Sequence, residues 1–427
     1  MNRSDWTVLG VVADDFTGAT DVASMLVRSG MRTMQVIGVP EGPPPAGADA
    51  VVVALKSRTT PVDDAVRESL AALRWLRGAG ARQFYFKYCS TFDSTPRGNI
   101  GPVAEAMMSA LGTDFTIACP AFPENGRTIF RGHLFVGDQL LSDSGMRNHP
   151  LTPMTDADLV RVLQPQCEGR VGLLRYDAVR AGVPAARARI AALRAEGVRI
   201  AVADAIDNDD LRVLAEACAD LPLLTAGSGL ALGLPALYAA QGWLRLDEHA
   251  ASLETVGGAA AVLSGSCSTA TNAQVAAWEA AGRPMRRIDP RALARGEPVV
   301  DEVLQWARAA VAQGAVLISA TAAPEVLRAV QAELGAARAG ELVEQALARL
   351  ARGLVDAGVR RLVVAGGETS GAVVQGLGVR ALRIGPAICP GVPWTRAEGR
   401  MLKLALKSGN FGAPTFFADA LAHEGGR

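Results

Sequence analysis

Thr7-Val8-Leu9-Gly10-Val11-Val12-Ala13-Asp14-Asp15-Phe16-Thr17-Gly18-Ala19-Thr20-Asp21 is a run of apolar residues that turns abruptly polar. Thr7–Ala13 carries almost no polar alternation, which predicts a strand buried on both faces, as in a parallel sheet. Two carboxylates, a hydroxyl and a glycine follow at once, and a helical segment comes after them. In open α/β sheets, ligands bind outside the carboxyl ends of strands, where these side chains fall. Gly18 lets the chain turn tightly and leaves helix N–H groups facing that crevice. Asp14 and Asp15 can hold or deprotonate a substrate hydroxyl. The plainer alternative is a capping cluster, although two adjacent aspartates exceed what one cap needs.

The same rhythm continues along the chain. Strands are predicted at Thr33–Ile37, Ala50–Leu55, Gln83–Tyr88, Phe115–Ala118, Val198–Ala203 and Leu221–Thr225, with amphipathic segments between them. In the helix predicted at Val62–Arg77, Val66, Leu70, Leu73 and Leu76 form one apolar stripe, with Asp63 as its N-cap. The pattern stalls at Gln241–Gly258, read as a linker. A second series follows, with strands at Ala259–Ser264, Ala315–Ser319, Arg361–Ala365 and Arg380–Ile384. A helix is predicted at Gly340–Ala357, with Val343, Leu347, Leu350 and Leu354 on one face. The expectation is an α/β protein of two α/β domains, residues 1–245 and 255–427, each with a mainly parallel sheet and a cleft between them. No repeat relates the halves, and the Pro-rich patch Gly42–Gly47 reads as a surface loop. Cys119–Pro153 breaks the rhythm and reads as a long irregular loop, a kind of segment that often carries function. Within it, His133 is either a proton shuttle or a structural hydrogen-bonder.

Composition narrows the function. The 427 residues contain 43 basic and 43 acidic side chains, so nothing attracts a nucleic acid globally, and none is expected as partner. The six cysteines form no CxxC pair and there are only four histidines. Free thiols are therefore expected, and metal ligands stay unknown. No apolar run reaches the roughly 18 residues a membrane span needs, and no apolar stretch follows a basic N-terminal segment. A cytoplasmic location is expected, and a homodimer is left open.

A second polar cluster follows another strand: Lys87-Tyr88-Cys89-Ser90-Thr91-Phe92-Asp93-Ser94-Thr95-Pro96-Arg97-Gly98-Asn99. Lys87 and Arg97 offer cations, and Arg can grip a carboxylate through two parallel bonds. Ser90, Thr91, Asp93, Ser94 and Asn99 suit hydroxyl recognition, as does Thr17 in the first cluster. Arg58, following a third strand, can join this pocket. A solvated loop ahead of a helix is the alternative.

The second half holds three loops of small residues: Leu263-Ser264-Gly265-Ser266-Cys267-Ser268-Thr269-Ala270-Thr271, Ala365-Gly366-Gly367-Glu368-Thr369-Ser370-Gly371 and Lys407-Ser408-Gly409-Asn410-Phe411-Gly412. Such loops cradle phosphate through backbone N–H groups and hydroxyls. Three in one domain point to a nucleotide, and the absence of GxxxxGK[ST] excludes a P-loop. Gly227-Ser228-Gly229-Leu230-Ala231-Leu232-Gly233 approaches a dinucleotide fingerprint, which leaves an NADP-dependent oxidoreductase as a rival. Its spacing is off by one, and tight strand–helix packing accounts for it more simply.

Taken in order, Asp14-Asp15-Phe16-Thr17-Gly18, the Lys87–Asn99 cluster, Gly227-Ser228-Gly229 and the three later loops resemble the four-carbon acid sugar kinase family over almost the whole chain. Gly132-His133-Leu134-Phe135-Val136-Gly137-Asp138 and the run from Ser144 to Asp156 resemble the branch that acts on 3-oxo-tetronate; the branches acting on threonate and erythronate differ there. The resemblance implies a sugar-acid-binding N-terminal domain and a nucleotide-binding C-terminal domain. It implies ATP contacts at Ser264, Gly366, Gly367, Glu368, Thr369 and Gly409, with Mg²⁺ accompanying the nucleotide. Phosphorylation of the 4-hydroxyl is the implied activity. On this reading Lys87 and Arg97, assisted by Arg58, hold the carboxylate, Asp15 or Asp14 orients the hydroxyl, and the domains close to exclude water. A sensor that binds ATP without turnover is the non-enzymatic alternative.

Overall fold

The computed structural model describes residues 7–149 and 152–422. Pro150 and Leu151, part of the run that resembles the 3-oxo-tetronate branch, lie outside the described residues. The chain divides into two compact units, Met1–Ala251 and Ser252–Arg427.

The first unit is built on β1 (Leu9–Ala13), β2 (Thr33–Ile37), β3 (Ala50–Ala54), β4 (Gln83–Lys87) and β5 (Thr116–Cys119). A small antiparallel sheet follows, formed by β6 (Arg127–Phe130), β7 (His133–Val136) and β8 (Gln139–Leu140). The main sheet is completed by β9 (Arg170–Leu174), β10 (Val198–Ala203) and β11 (Leu223–Ala226). Its order is β2-β3-β1-β4-β11-β5-β10-β9, and every pairing is parallel. All five residues of β1, β3 and β4 are buried, as continuous apolar strands covered by helices must be. After β1 the chain builds β2 and β3 on one side, then places β4 on the other. The carboxyl end of β1 is thus a switch point, where an open sheet forms its binding crevice.

Helix α1 (Phe16–Arg28) begins immediately after β1. Helix α2 (Val62–Gly78) starts after Pro61 with no side-chain cap; Asp63 lies inside its first turn, not at the N-cap. Asp63 and Asp64 instead place negative charge in the first turn, where it complements the helix dipole. The buried face of α2 is Ala65, Ser69, Ala72, Leu73 and Leu76, while Val66 and Leu70 are half-buried. The apolar stripe is therefore rotated from the expected one, because small residues let the helix lie close to the sheet. The region 119–153 is also more ordered than expected, since β6–β8 and short 3₁₀ turns occupy it. Asp204 ties this small sheet down, its carboxylate accepting the N–H groups of Arg131 and Gly132 at 2.8 Å and of Tyr176 at 2.9 Å.

The second unit contains β12 (Ala259–Ser264), β13 (Met285–Arg287), β14 (Val316–Ser319), β15 (Val359–Ala365), β16 (Ala381–Cys389), β17 (Val392–Ala397) and β18 (Lys403–Lys407). Their order is β13-β14-β12-β15-β18-β17-β16. The first five are mutually parallel, and β17 turns antiparallel to both β18 and β16. The core packs Trp394, Phe416, Phe417 and Trp278 against Val262, Leu317, Val363 and Ala405. The helix Ala336–Asp356 buries Leu347, Leu350 and Leu354 as expected, with Val343 half-buried at the edge of the stripe. Here too the chain adds β13 and β14 on one side of β12 and β15 on the other, giving a second switch point at Ser264.

Candidate active site

At the first switch point the two aspartates take different parts. Arg58 grips Asp14 through a fork, Nε to Oδ2 at 2.9 Å and Nη2 to Oδ1 at 2.8 Å. The same Nη2 reaches Asp15 Oδ1 at 2.8 Å. Asp15 is also the N-cap of α1: its Oδ1 accepts the Gly18 N–H and its Oδ2 the Thr17 hydroxyl, both at 2.9 Å. A Cβ at Gly18 would collide with the Asp15 carboxylate, so this close turn requires glycine. The Asp14 side chain is nearly buried at 6% exposure, whereas those of Asp15 and Arg58 are each 21% exposed. Asp15 and Arg58 are therefore the pair a ligand can reach, and Asp14 anchors the guanidinium.

Their electrostatics follow from this packing. Burial pushes the Asp14 carboxyl up, with Arg58 pulling it part of the way back. Burial acts on Asp15 as well, but Arg58, Lys87, Thr17 and the Gly18 N–H outweigh it and hold this carboxyl below its ordinary value. Arg58 is held protonated, its burial more than offset by Asp14 and Asp15. Asp15 is thus a partly exposed hydrogen-bond acceptor whose ionised form its neighbours favour.

The second cluster is divided by the structure. Lys87 is 2% exposed and its ammonium donates to the Tyr88 carbonyl at 2.8 Å. It lies behind Gly18, where an added Cβ would stand 3.0 Å from its Nζ, so it sits beneath the turn that carries Asp15. Arg97 is exposed, and among the described residues its guanidinium has no ionic partner. Asn99 is buried. Its Nδ2 donates to the carbonyls of Ser57 at 2.7 Å, Thr60 at 2.9 Å and Arg58 at 3.3 Å, so it supports the turn that presents Arg58. Thr91 donates to Asp93 Oδ1 at 2.6 Å, and Asp93 Oδ2 lies 3.9 Å from Arg58 Nη1. Ser90 and Ser94 are buried beside them. Between these residues Phe92 adopts φ 53° while fully buried, a left-handed conformation unusual for an aromatic residue and typical of over-determined functional turns.

Sequence reading overlooked Asp21. It is 4% exposed; its Oδ2 accepts the Ser228 hydroxyl at 2.6 Å, and among the described residues its Oδ1 has no hydrogen-bond partner. Burial pushes its carboxyl up to about 6, against the pull of Lys87 and Ser228. The glycines around Ser228 allow close packing: a Cβ on Gly227 would meet the Pro120 carbonyl at 2.8 Å, and one on Gly229 would overlap that of Ala121. His133 has its Nδ1 2.9 Å from the Arg131 carbonyl.

At the second switch point the three small-residue loops converge. Gly265 and Ser266 donate their N–H groups to the Ala365 carbonyl at 3.0 and 3.2 Å, and Gly366 donates to the Lys407 carbonyl at 2.8 Å. Gly366 has φ 123°, which excludes other residues, and Gly367 opens the helix Gly367–Gly376. Thr369 is buried on that helix with its Oγ1 against Gly265 and Gly366, while Glu368 is exposed. Ser264 is fully buried, and its hydroxyl pairs with that of Thr321 at 2.6 Å. Thr321 in turn donates to the Ser266 carbonyl at 2.8 Å. Ser264 therefore braces the loop from beneath through its hydroxyl. At Gly409 a Cβ would meet Ser266 Oγ at 2.6 Å and Ser268 Oγ at 3.1 Å. Crowded glycines beside the helix N-terminus at Gly367 suit a polyanion.

Residues 9–234 match the family described as sugar-binding N-terminal domain, and residues 261–417 the one described as nucleotide-binding C-terminal domain. A curated 3-oxo-tetronate kinase from Pseudomonas fluorescens Pf-5 is 64% identical over 422 residues, 98% of this chain and 97% of the relative. Another of that name, from Cupriavidus necator H16, is 64% identical over 427 residues, 98% of each chain. A crystal structure from Salmonella typhimurium LT2 superposes with TM-score 0.84 at 47% identity, covering 96% of this chain and 98% of that one. A Haemophilus influenzae structure gives TM-score 0.77 at 46% identity, covering 97% and 99%. With both halves matched in order and the relatives spanning nearly its full length, the chain belongs to the four-carbon acid sugar kinase family.

Proposed function

We propose that this protein transfers the γ-phosphoryl group of ATP to the 4-hydroxyl of 3-oxo-tetronate, giving 3-oxo-tetronate 4-phosphate. The observation that carries this reading is the partly exposed pair Asp15 and Arg58, 2.8 Å apart at the end of β1, in a chain whose 63–64% identical relatives are named for that activity. Arg58 offers a partly exposed cation to a sugar acid's carboxylate or oxo group, and the exposed Arg97 offers a second. Asp15, whose ionised form its neighbours favour, accepts a hydrogen bond from the 4-hydroxyl and aims its oxygen. Phosphoryl transfer needs positioning and charge neutralisation more than a strong base, so an aspartate of lowered pKa is adequate. Thr17 and the Gly18 N–H hold the carboxylate in register, while Ser90, Thr91, Asp93 and Ser94 shape the neighbouring wall.

On the nucleotide side, Gly366, Gly367, Thr369 and Gly409 supply the surface for ATP phosphates, with Ser264 bracing it and Glu368 at its rim. Among the described residues no group of three His, Cys, Asp or Glu forms a metal cage. That suits Mg²⁺, which is commonly held by phosphate oxygens and water with few protein ligands. The exposed Glu368 is the carboxylate of these loops that can reach it, and the ion neutralises phosphate charge when bound. The test is ADP release with 3-oxo-tetronate, threonate and erythronate in parallel. Selective turnover of 3-oxo-tetronate is expected; preference for either reduced acid would reassign the substrate.

A further inference from the structure

We propose that Lys407 is a positioning residue of the nucleotide site: it turns the amide N–H groups of Gly409 and Asn410 outward as a phosphate-binding nest. The inference rests on the kinase reading and adds a residue that the loop motifs do not reveal.

Lys407 is the last residue of β18 and is fully buried. Its ammonium donates to three neutral oxygens: the Gly409 carbonyl at 2.8 Å, the Ser408 carbonyl at 2.9 Å and the Thr271 hydroxyl at 3.1 Å. Among the described residues no carboxylate stands within ion-pair distance. The Gly409 carbonyl also receives the hydroxyls of Ser268 at 2.6 Å and Thr271 at 2.9 Å. Three donors therefore converge on one peptide oxygen.

Peptide planarity converts this into an orientation. In a trans peptide the C=O of one residue and the N–H of the next point in opposite directions. Holding the Ser408 carbonyl against Nζ turns the Gly409 N–H away from it, and holding the Gly409 carbonyl does the same for the Asn410 N–H. Neither N–H has an acceptor among the described residues, whereas the next one, Phe411 N–H, closes the turn onto Ser408 at 3.3 Å. Two consecutive free amides on a half-buried to exposed turn make the concavity that anions occupy. The charge beneath it lacks a counterion. Burial brings the Lys407 ammonium down to about 7. A phosphate in the nest supplies the missing negative charge from above.

The test compares inhibition constants of ADP and adenosine against ATP in the full-length enzyme and in Lys407→Met and Lys407→Arg. Losing a charge-assisted network of this kind should weaken ADP by about tenfold or more, while adenosine and the sugar acid's KM move less than about twofold. Lys407→Arg should restore part of the ADP affinity. Unchanged ADP affinity in folded Lys407→Met, or an equal loss for adenosine, overturns the proposal. If Lys407→Met does not fold, hydrogen exchange of the 408–411 amides in the wild-type protein decides: ADP must protect Gly409 and Asn410, and no protection overturns it. A wild-type protein that binds no ADP at all would instead remove the kinase reading on which the proposal rests.

Discussion

Lys87 and Lys407 occupy the same local position in two different sheets. Each is the last residue of its strand, and each donates its ammonium to the carbonyl of the following residue, at 2.8 and 2.9 Å. Each also accepts, on its own carbonyl, the first N–H beyond the neighbouring strand: Asp14 onto Lys87 at 3.0 Å and Gly366 onto Lys407 at 2.8 Å. The two switch points thus share a scaffold and differ in what they present. The first ends in carboxylates suited to hydroxyls, the second in glycines suited to phosphates.

The division of labour between Asp14 and Asp15 predicts separable effects. Asp15→Asn keeps the shape and a cap acceptor but loses the charge beside the hydroxyl. It should lower kcat by about 10², in the range of positioned acid–base groups, and shift the KM for ATP by less than about threefold. Steady-state kinetics with each substrate varied checks this; an enzyme of full activity contradicts the assignment.

Arg58→Met should act on stability as well as activity. It leaves Asp14, with its side chain 6% exposed, without its partner. Removing one member of such a buried pair typically costs about 3–5 kcal/mol. Urea denaturation should show that loss near neutral pH. It should shrink in acid, where Asp14 is neutralised by protonation.

Asp21 gives a pH signature. Its folded-state carboxyl is raised from 3.8 to about 6, so between those values the folded protein binds the proton more tightly than the unfolded chain does. This contribution favours folding at low pH and is lost as pH rises through about 6. Asp21→Asn, which retains an acceptor for Ser228, should therefore be more stable than wild type at pH 8. The upper bound is about 3 kcal/mol, and the gain should fade towards pH 4. Chemical unfolding at the two pH values measures it, and equal differences at both would refute the account.

Asn99→Asp tests the support of Arg58. The carboxylate cannot donate to the Ser57, Arg58 and Thr60 carbonyls and faces them with negative charge. A loss of about 2–3 kcal/mol is expected from unsatisfied buried groups, with a raised KM for the sugar acid and little change for ATP. Thermal unfolding and a two-substrate kinetic comparison read the two parts.

Much of this was legible in the sequence because it is local. The strand–turn–helix at Thr7–Asp21 and the small-residue loops announce themselves within a dozen residues, and the structure brings the three later loops together. What sequence reading missed depends on distant partners. Asp21 looks like one more polar residue of a helix until Ser228, 207 positions away, closes on it. Lys87 and Lys407 look like exposed cations at strand ends; only the layer packed over them makes them buried donors. Asn99 looks like a ligand group because nothing nearby in sequence shows that the Ser57–Thr60 turn will occupy its amide. The rotated face of α2 has a similar cause: Ala65, Ser69 and Ala72 pack inward because they are small, and hydrophobic periodicity gives small residues little weight.

The most direct measurement is the identity of the product. After incubation with ATP, Mg²⁺ and 3-oxo-tetronate, ³¹P NMR should show one new phosphate monoester whose phosphorus couples to the two protons on carbon 4, with ADP formed in equal amount. A phosphorus coupled instead to the carbon 2 proton, or ADP released with inorganic phosphate and no ester, would contradict a site in which Asp15 aims the 4-hydroxyl at ATP.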